Sequence, residues 1–337
     1  MARDFYERAT AHGASLAQSP GRLDHVYYAT RMIDLHLHST FSDGSDTPSE
    51  LAAKAAKLGL RAVSLTDHDT TSSFDEMDEA TRQHGIELVP GVEVSLRDNE
   101  FPMTRAGRLV PRNVHVLAYY LPMEPEDPIQ QQLAELRHDR DVRNLELVDV
   151  LQGLGFERIN LDYLAAMSGN VHSIGRPHFA RAMFELHPEI VGERTDERWN
   201  RLFIDWLGSG GLAYIPKTSM PIEQFVDAAK GSSTIFSIAH PLVNYVSEGS
   251  MSAIETTMPR VLASLRERGF NGVEAYYGGT NEQTRALMVK LARDAGMIPT
   301  GGSDYHGHYK EDVSLGVGRS GDLRVPDEIL SELKAAR

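Results

Sequence analysis

The chain has 337 residues and no cysteine, which excludes disulfides and thiolate metal ligands. Its formal net charge of −14 argues against a broad surface for duplex nucleic acid, because such a surface needs extended Lys/Arg neutralisation. Hydrophobic residues make up 41% and charged residues 24%, and no apolar run reaches the roughly 18 residues that cross a bilayer. We therefore expect a globular cytoplasmic protein without membrane contact. The sequence leaves its oligomeric state open.

The predicted elements begin after an N-terminal extension. Residues 1–31 contain several arginines but lack the continuous apolar core of a secretory signal. From residue 32 onward, short apolar strands alternate with amphipathic helices, a pattern typical of parallel α/β units. In this first part the predicted strands are 32–38, 61–66, 86–94 and 113–120, and the predicted helices are 48–58 and 72–84.

A mainly helical stretch then interrupts the alternation. Leucines and valines recur at helical spacing after Pro122, and the strand–helix rhythm returns only near Thr234. We expect a barrel in two parts, 32–124 and 231–337, with a helical insertion at 125–230. In the second part the predicted strands are 234–240, 272–276 and 297–302, and the predicted helices are 252–268 and 281–295.

The first strand carries the first sign of chemistry. Asp34, His36 and His38 share one face of it, while Leu35 and Leu37 face the other side. Two imidazoles at positions i and i+2 can chelate one metal ion. A lone His-x-His pair can equally well be packed in a core, so its neighbours decide between the two interpretations.

More potential ligands lie at or near the ends of the other predicted strands. A barrel brings the carboxyl ends of parallel strands into one ring, which favours a shared metal site over unrelated structural residues. Imidazole and carboxylate are the ligands available to a chain without cysteine. The residues are Asp43, Asp67, His68, Asp69, Glu93, His115, His240, Asp304 and His306.

These residues together resemble the PHP family, named for polymerase and histidinol phosphatase. The resemblance covers about 32–95 and 233–310. It implies a distorted seven-stranded β/α barrel with two or three divalent ions, usually manganese, iron or zinc. It also implies cleavage of phosphate esters by a hydroxide that bridges two ions. The matching residues are His36, His38, Asp43, Thr66–His68, Glu93, His115, His240 and Gly302–His306.

The resemblance also assigns the ligands to three metal positions, two of which share Glu93. The segment 96–112 is longer than the family pattern leads us to expect, and it shifts His115 relative to Glu93. Asp34 and Asp67 are either partners that orient metal-bound imidazoles or structural acids at strand ends. The assignment is His36, His38, Glu93 and Asp304 for the first ion, Glu93, His115 and His240 for the second, and Asp43, His68 and His306 for the third.

Within the predicted insertion, the run from Ser173 to His178 resembles a branch that includes 3′,5′-nucleoside bisphosphate phosphatases. This resemblance implies that Arg176 binds phosphate through its planar guanidinium and that His178 binds substrate or acts beside the metals. The alternative is that both are surface residues at a helix start. Lys217, in a second motif of that branch, is a further possible phosphate contact. The expected substrate is a small phosphorylated molecule, most specifically a nucleoside 3′,5′-bisphosphate that loses its 3′-phosphate.

Three other functions compete with this one. A phosphodiesterase or exonuclease acting on short oligonucleotides would use the same metals. An amidohydrolase-like enzyme also begins with His-x-His on a barrel strand, but its usual bridging lysine is replaced here by Glu93. A catalytically silent PHP module that binds a partner is disfavoured, because every ligand position is retained. No P-loop motif is present.

Overall fold

The computed structural model describes residues 32–105, 107–168, 174–208, 210–215 and 219–337. The predicted N-terminal extension, Ser173 and Lys217 lie outside these ranges. Among the described residues, no helix combines the length and apolar character needed to span a bilayer.

The observed fold is α/β, with two mixed sheets. Their strand orders are β10-β1-β2-β3 and β6-β4-β5-β7-β8-β9. The short β10 runs antiparallel to β1, whereas β2 runs parallel to it. The strands are β1 Met32–Leu37, β2 Ala62–Leu65, β3 Glu87–Leu88, β4 Gly91–Arg105, β5 Arg108–Tyr119, β6 Met220–Pro221, β7 Ile235–Ile238, β8 Gly272–Tyr277, β9 Ile298–Gly302 and β10 Val325–Pro326.

The helices pack against these sheets and confirm the predicted helices to within two residues at each end. Thr47 caps the first of them as predicted: its Oγ1 accepts from Glu50 N (3.2 Å), and Glu50 Oε2 accepts from Thr47 N (2.9 Å). The α-helices are α1 Pro48–Leu58, α2 Phe74–His84, α3 Pro128–Gly153, α4 Leu161–Ser168, α5 Arg176–Leu186, α6 Pro188–Val191, α7 Asp196–Leu202, α8 Ile222–Ala228, α9 Pro241–Tyr245, α10 Met251–Glu267, α11 Glu282–Asp294 and α12 Glu328–Ala335. A π-helical turn (Phe203–Leu207) and a 3₁₀ turn (Gly307–Lys310) complete the set among the described residues.

The prediction of parallel units throughout is wrong at β4 and β5, which form a long antiparallel hairpin. The segment 96–112 is the outer part of this hairpin, which explains its unexpected length. Its base is anchored by the buried Asp98, which accepts from Tyr245 Oη (2.7 Å) and from both terminal nitrogens of Arg268 (3.0 and 3.2 Å). His115 pairs with Ser95 inside the hairpin and so reaches its neighbours from mid-strand rather than from a carboxyl end.

The two sheets also meet along both edges. Asp69 N, just beyond β2, donates to Glu93 O of β4 (2.9 Å). On the other side, His38 N donates to Tyr305 O (3.0 Å), which joins the end of β1 to the segment after β9. Strand ends of both sheets are therefore brought together at one place.

The hydrophobic core is divided. Three clusters of buried side chains lie within the α/β part, and a fourth is built from residues between Leu147 and Ala213. The long helix α3 contributes Leu133 to the core of the larger sheet and Leu151 to the fourth cluster. The domain boundaries at 125 and 230 stay a prediction, and the fourth cluster occupies the middle of the predicted insertion.

Candidate metal centre

Where the two sheets meet, three residues shortly after strand ends have unusual backbone φ angles. Asp69, His240 and Asp304 have positive φ angles of 56°, 29° and 58°, although none of them is glycine. Such angles are costly for residues with a side chain and persist only where the surrounding structure imposes them. In this protein the turns place polar side chains over the ends of the sheets.

Glu93 lies at the centre of the cluster, and only 1% of its surface is exposed. Each of its carboxylate oxygens faces several imidazole nitrogens. Oε2 lies 3.1–3.3 Å from three of them and Oε1 lies 2.9–3.0 Å from two more. The first three belong to His36, His38 and His68, and the other two to His115 and His240.

The paired histidines of β1 have the spacing of two ligands to one ion. His36 Nε2 and His38 Nε2 are 3.2 Å apart, and Asp304 Oδ1 is 3.5 Å from each. Two imidazoles on one tetrahedral ion, with bonds of about 2.0–2.1 Å, would separate their nitrogens by about 3.3 Å. This geometry fits a divalent ion held by these residues together with Glu93.

A second group surrounds Asp43. Its Oδ1 is 3.3 Å from His306 Nε2 and 3.6 Å from His38 Nδ1, and its Oδ2 is 3.7 Å from His68 Nε2. In the described structure, buried Asp43 Oδ1 and His68 Nδ1 have no hydrogen-bond partner. Buried polar atoms are rarely left unpaired, so a cation between these groups would satisfy them.

All nine predicted ligands thus lie in one cluster. Within it, three groups place their ligand atoms within 4.8 Å of one another. His68 lies between two of the groups, with Nδ1 facing Glu93 in one and Nε2 facing Asp43 in the other. The family resemblance assigned His68 to the third ion alone. The groups are His36, His38 and Glu93; His68, Glu93 and His115; and His38, Asp43, His68 and His306.

The electrostatics of the cluster suit metal ligation. Burial alone would raise the pKa of the Glu93 carboxyl, but the imidazole of His36, as the largest opposing influence, helps to hold it well below its usual range. For Asp304, burial is likewise outweighed by Lys310 and His36, so its pKa is also well below normal. Burial lowers the pKa of His68 to about 3. The carboxylates are ionised and His68 is neutral, which are the forms that bind metals.

Comparison with known proteins shows what this chain is similar to. Residues 34–173 match the family model of the PHP domain. A 3′,5′-nucleoside bisphosphate phosphatase of Chromobacterium violaceum is 28% identical over 81% of this chain and 87% of its own length. A 5′-3′ exoribonuclease of Haemophilus influenzae is 27% identical over 82% of this chain and 90% of its own length. This chain therefore carries a match to the PHP domain over residues 34–173 and is a metal-dependent phosphoesterase.

Solved structures agree with this assignment. A protein from Bifidobacterium adolescentis assigned as a metal-dependent phosphoesterase superposes with a TM-score of 0.69 at 27% identity, covering 90% of this chain and 96% of that one. A protein from Chromobacterium violaceum described as an amidohydrolase with bound sulfate has the same TM-score and coverage at 26% identity.

One carboxylate of this PHP site is not evident from the sequence. Glu274 lies within β8 and is buried. Its Oε1 is 2.8 Å from His36 Nδ1, and its Oε2 accepts from His240 N (2.6 Å). A carboxylate on Nδ1 fixes the tautomer that leaves Nε2 free for a metal. The only sequence signal is an acid inside an otherwise apolar strand, away from the strand end.

Asp34 and Asp67 do not contact the imidazoles, which corrects one of the two predictions made for them. Asp34 accepts from Ser303 N (2.9 Å) and Ser303 Oγ (2.6 Å), so it is a structural acid that ties β1 to the end of β9. Asp67 accepts from Ser42 Oγ (2.6 Å), and that hydroxyl is 3.4 Å from His38 Nδ1. Asp67 therefore acts on His38 only through Ser42.

Asp304 is also oriented by neighbours that the sequence does not reveal. Its Oδ2 accepts from Lys310 Nζ (2.7 Å) and from Tyr277 Oη (3.1 Å). These contacts leave Oδ1 directed at the two histidines of β1.

Arg176 and His178 lie at the start of α5. His178 is buried, and its Nδ1 accepts from Gly175 N (3.0 Å), so Nε2 carries the proton in the neutral ring. Burial lowers its pKa, while the charge of Asp43 opposes that effect. The Arg176 guanidinium lies 5.6 Å from the ring centre of Tyr214.

We expect Glu274→Gln to weaken metal binding about 10- to 100-fold, because a neutral amide holds the Nδ1 proton of His36 less firmly. Turnover should fall at low manganese and recover at high manganese. The measurement is the manganese dependence of phosphate release. A loss that high manganese does not restore would contradict the orienting role of Glu274.

Proposed function

We propose that this PHP phosphoesterase hydrolyses the 3′-phosphate of a nucleoside 3′,5′-bisphosphate at two or three divalent ions, with manganese, iron or zinc as candidates. The observation that carries the proposal is the position of Glu93 between five imidazoles at 2.9–3.3 Å. A carboxylate with imidazoles on both of its oxygens is arranged to bridge two ions. The substrate follows from the name of the Chromobacterium relative together with Arg176.

The proposal assigns the ligands as the resemblance implied. His36, His38, Glu93 and Asp304 hold the first ion, Glu93, His115 and His240 the second, and Asp43, His68 and His306 the third. Seven strand positions would surround the cluster in a distorted barrel, with β3 and β4 sharing one position beside β2, β5, β7, β8, β9 and β1. The edge contacts at Glu93 and His38 support that closure.

When bound, the ions supply a water nucleophile that ionises near neutral pH and offset charge on the phosphate oxygens. The chain keeps Glu93 and Asp304 ionised, so both remain ligands throughout turnover. The neutral His178 ring, with its proton on Nε2, would donate a hydrogen bond to a phosphate oxygen.

Arg176 supplies recognition of the second phosphate. Metal ions can hold the reacting phosphate but do not by themselves require another one, so a separate cation must select bisphosphates. Losing one charge-assisted contact costs about 1.5–3 kcal/mol, or roughly 10- to 150-fold in specificity. We expect Arg176→Ala to reduce by that factor the preference for adenosine 3′,5′-bisphosphate over adenosine 3′-monophosphate, measured as a ratio of kcat/KM.

The substrate comparison tests the proposal as a whole. Phosphate release from wild type should be fastest with the bisphosphate. Equal rates with the two nucleotides, or an intact preference in Arg176→Ala, would contradict the assigned substrate or the role of Arg176.

Cleavage of a phosphodiester is the second candidate, because the Haemophilus relative is named as an exoribonuclease and covers as much of this chain. A short oligonucleotide with a 5′-phosphate distinguishes the two. Faster release of mononucleotides from it than of phosphate from the bisphosphate would favour the exonuclease.

A further inference from the structure

The 3₁₀ turn Gly307–Lys310 contacts both the metal centre and the start of α5. Lys310 Nζ donates to Asp304 Oδ2 (2.7 Å), so the turn ends on a predicted metal ligand. The ring of Tyr309, the preceding residue, has its centre 5.8 Å from that of His178. The turn therefore touches a metal ligand on one side and, on the other, the residue that would donate to the phosphate.

The start of this turn is held in place by Ser45. Ser45 N donates to His306 O (3.1 Å), and Ser45 Oγ accepts from His308 N (3.0 Å). Gly307 has a φ of +68°, and a Cβ on it would lie 1.8 Å from Ser45 Oγ. Only glycine permits this close approach. Lys310 is thus presented by an anchored turn rather than by a free surface loop.

The ammonium group of Lys310 has donors to spare. Its side chain is 38% exposed and that of Asp304 is 7% exposed, so Lys310 lies on the solvent side of Asp304. Among the described residues, Asp304 Oδ2 is the one acceptor within hydrogen-bond distance of Nζ. An ammonium carries three N–H groups, which leaves two for an incoming oxygen atom.

Orientation of Asp304 does not by itself account for a lysine at this position. Tyr277 Oη donates to the same oxygen, Asp304 Oδ2 (3.1 Å), and so also helps to leave Oδ1 for the histidines of β1. A cation beside a divalent ion is repelled by it and competes with it for the carboxylate. That cost is offset when an anion binds on the same side, and the phosphate of the substrate is such an anion.

We propose that Lys310 is a catalytic residue whose ammonium donates to a non-bridging oxygen of the phosphate that is hydrolysed. The inference rests on the proposed hydrolysis at the metal centre but not on the choice between bisphosphate and oligonucleotide, because both present such oxygens. Lys310 keeps its proton and stabilises negative charge on the phosphate, which is the main task in phosphoryl transfer. It acts on the reacting phosphate, whereas Arg176 is proposed for the other one.

The test uses the full chain at saturating manganese and compares wild type with Lys310→Met and Lys310→Arg. Tyr277→Phe is the matched control, because it removes the other hydrogen bond to Asp304 Oδ2 and leaves the charge of Lys310 in place. The first readout is kcat for phosphate release from adenosine 3′,5′-bisphosphate. We expect Lys310→Met to lower kcat about 10²- to 10³-fold, the cost of one preorganised donor, and Lys310→Arg to recover part of the loss. The control should lose at most about tenfold, the cost of one neutral hydrogen bond.

The second readout is calorimetric binding of manganese to the chelated chain and of inorganic phosphate to the loaded chain. Manganese content should reach that of wild type in every variant, whereas phosphate should bind at least about tenfold more weakly to Lys310→Met. A loss of kcat that follows reduced manganese content, or phosphate binding to Lys310→Met that matches wild type, would overturn the proposed contact. Lys310 would then act only through Asp304.

Two further comparisons keep the proposal open to refutation. Lys310→Gln, which removes the charge but keeps a donor, replaces Lys310→Met if the Tm shows that the latter folds poorly. Absence of phosphate release from wild type would contradict the proposed function instead. Binding of inorganic phosphate to the manganese-loaded chain would still decide the role of Lys310, since weaker binding in the variant supports the contact and equal binding overturns it.

Discussion

Glu93→Gln is expected to lower kcat/KM for phosphate release by at least about 10³-fold. The substitution keeps the shape of the side chain but removes the charge that faces five imidazoles. In the proposed arrangement this carboxylate would serve two ions at once, so its substitution would weaken the binding of both. A 10³-fold loss corresponds to about 4 kcal/mol of transition-state stabilisation, within the range of preorganised electrostatic groups.

The measurement is steady-state phosphate release at saturating manganese. Glu274→Gln is the matched control, because it changes a second buried glutamate of the same site that contacts the histidines from outside the cluster. At high manganese the control should approach wild type while Glu93→Gln should not. Turnover of Glu93→Gln within tenfold of wild type would remove Glu93 from the bridging position.

Removing the metal ions should abolish turnover and lower the Tm by about 5–10 °C. Each ion present at 100 times its Kd contributes about 2.7 kcal/mol to stability, because it binds the folded chain and not the unfolded one. Without the ions, Glu93 and Asp304 are buried acids compensated by neighbouring imidazoles and, for Asp304, first of all by Lys310. Calorimetry before and after chelation measures the difference, and an unchanged Tm would contradict it.

The change in Tm on metal removal should depend on pH. Burial alone would lower the pKa of His38, but Asp304 and Glu93 raise it to about 9, above its usual 6.5. In the metal-free chain its protonation therefore stabilises the fold fully below pH 6.5, and this contribution is lost as the pH rises through 9. His68, with its pKa lowered to about 3, is neutral in the folded chain across this window. The Tm gap between loaded and metal-free protein should thus widen from pH 6.5 to 9.

Much of the fold could be predicted from the sequence, because the relevant signals are local. The capping box at Thr47 and Glu50 places α1, and the periodicity of apolar residues places most strands within a few residues of their observed ends. The hairpin of β4 and β5 could not be predicted in this way. Periodicity reports that a segment is extended but not which neighbour it pairs with, so it does not predict the pairing of segment 96–112.

The candidate site, like the fold, contains residues that the sequence predicts and residues that it does not. The nine predicted ligands are recognisable because imidazoles and carboxylates follow apolar strands at short spacing. Glu274 acts through His36, which is 238 residues away in the sequence, and Lys310 contacts Asp304 across a turn of six residues. Single acids and lysines in a sequence are too common to mark such contacts. For Asp34 the sequence leaves an orienting and a structural role open, and its contacts with Ser303 support the structural one.

The most direct test of a metal-dependent phosphoesterase centred on Glu93 is a manganese titration of the chelated chain, with bound metal and phosphate release from adenosine 3′,5′-bisphosphate measured on the same samples. The structure predicts no turnover in the metal-free chain and full turnover once two to three ions are bound per chain. Full turnover without metal, or metal content that stays at a trace after loading, would contradict the account.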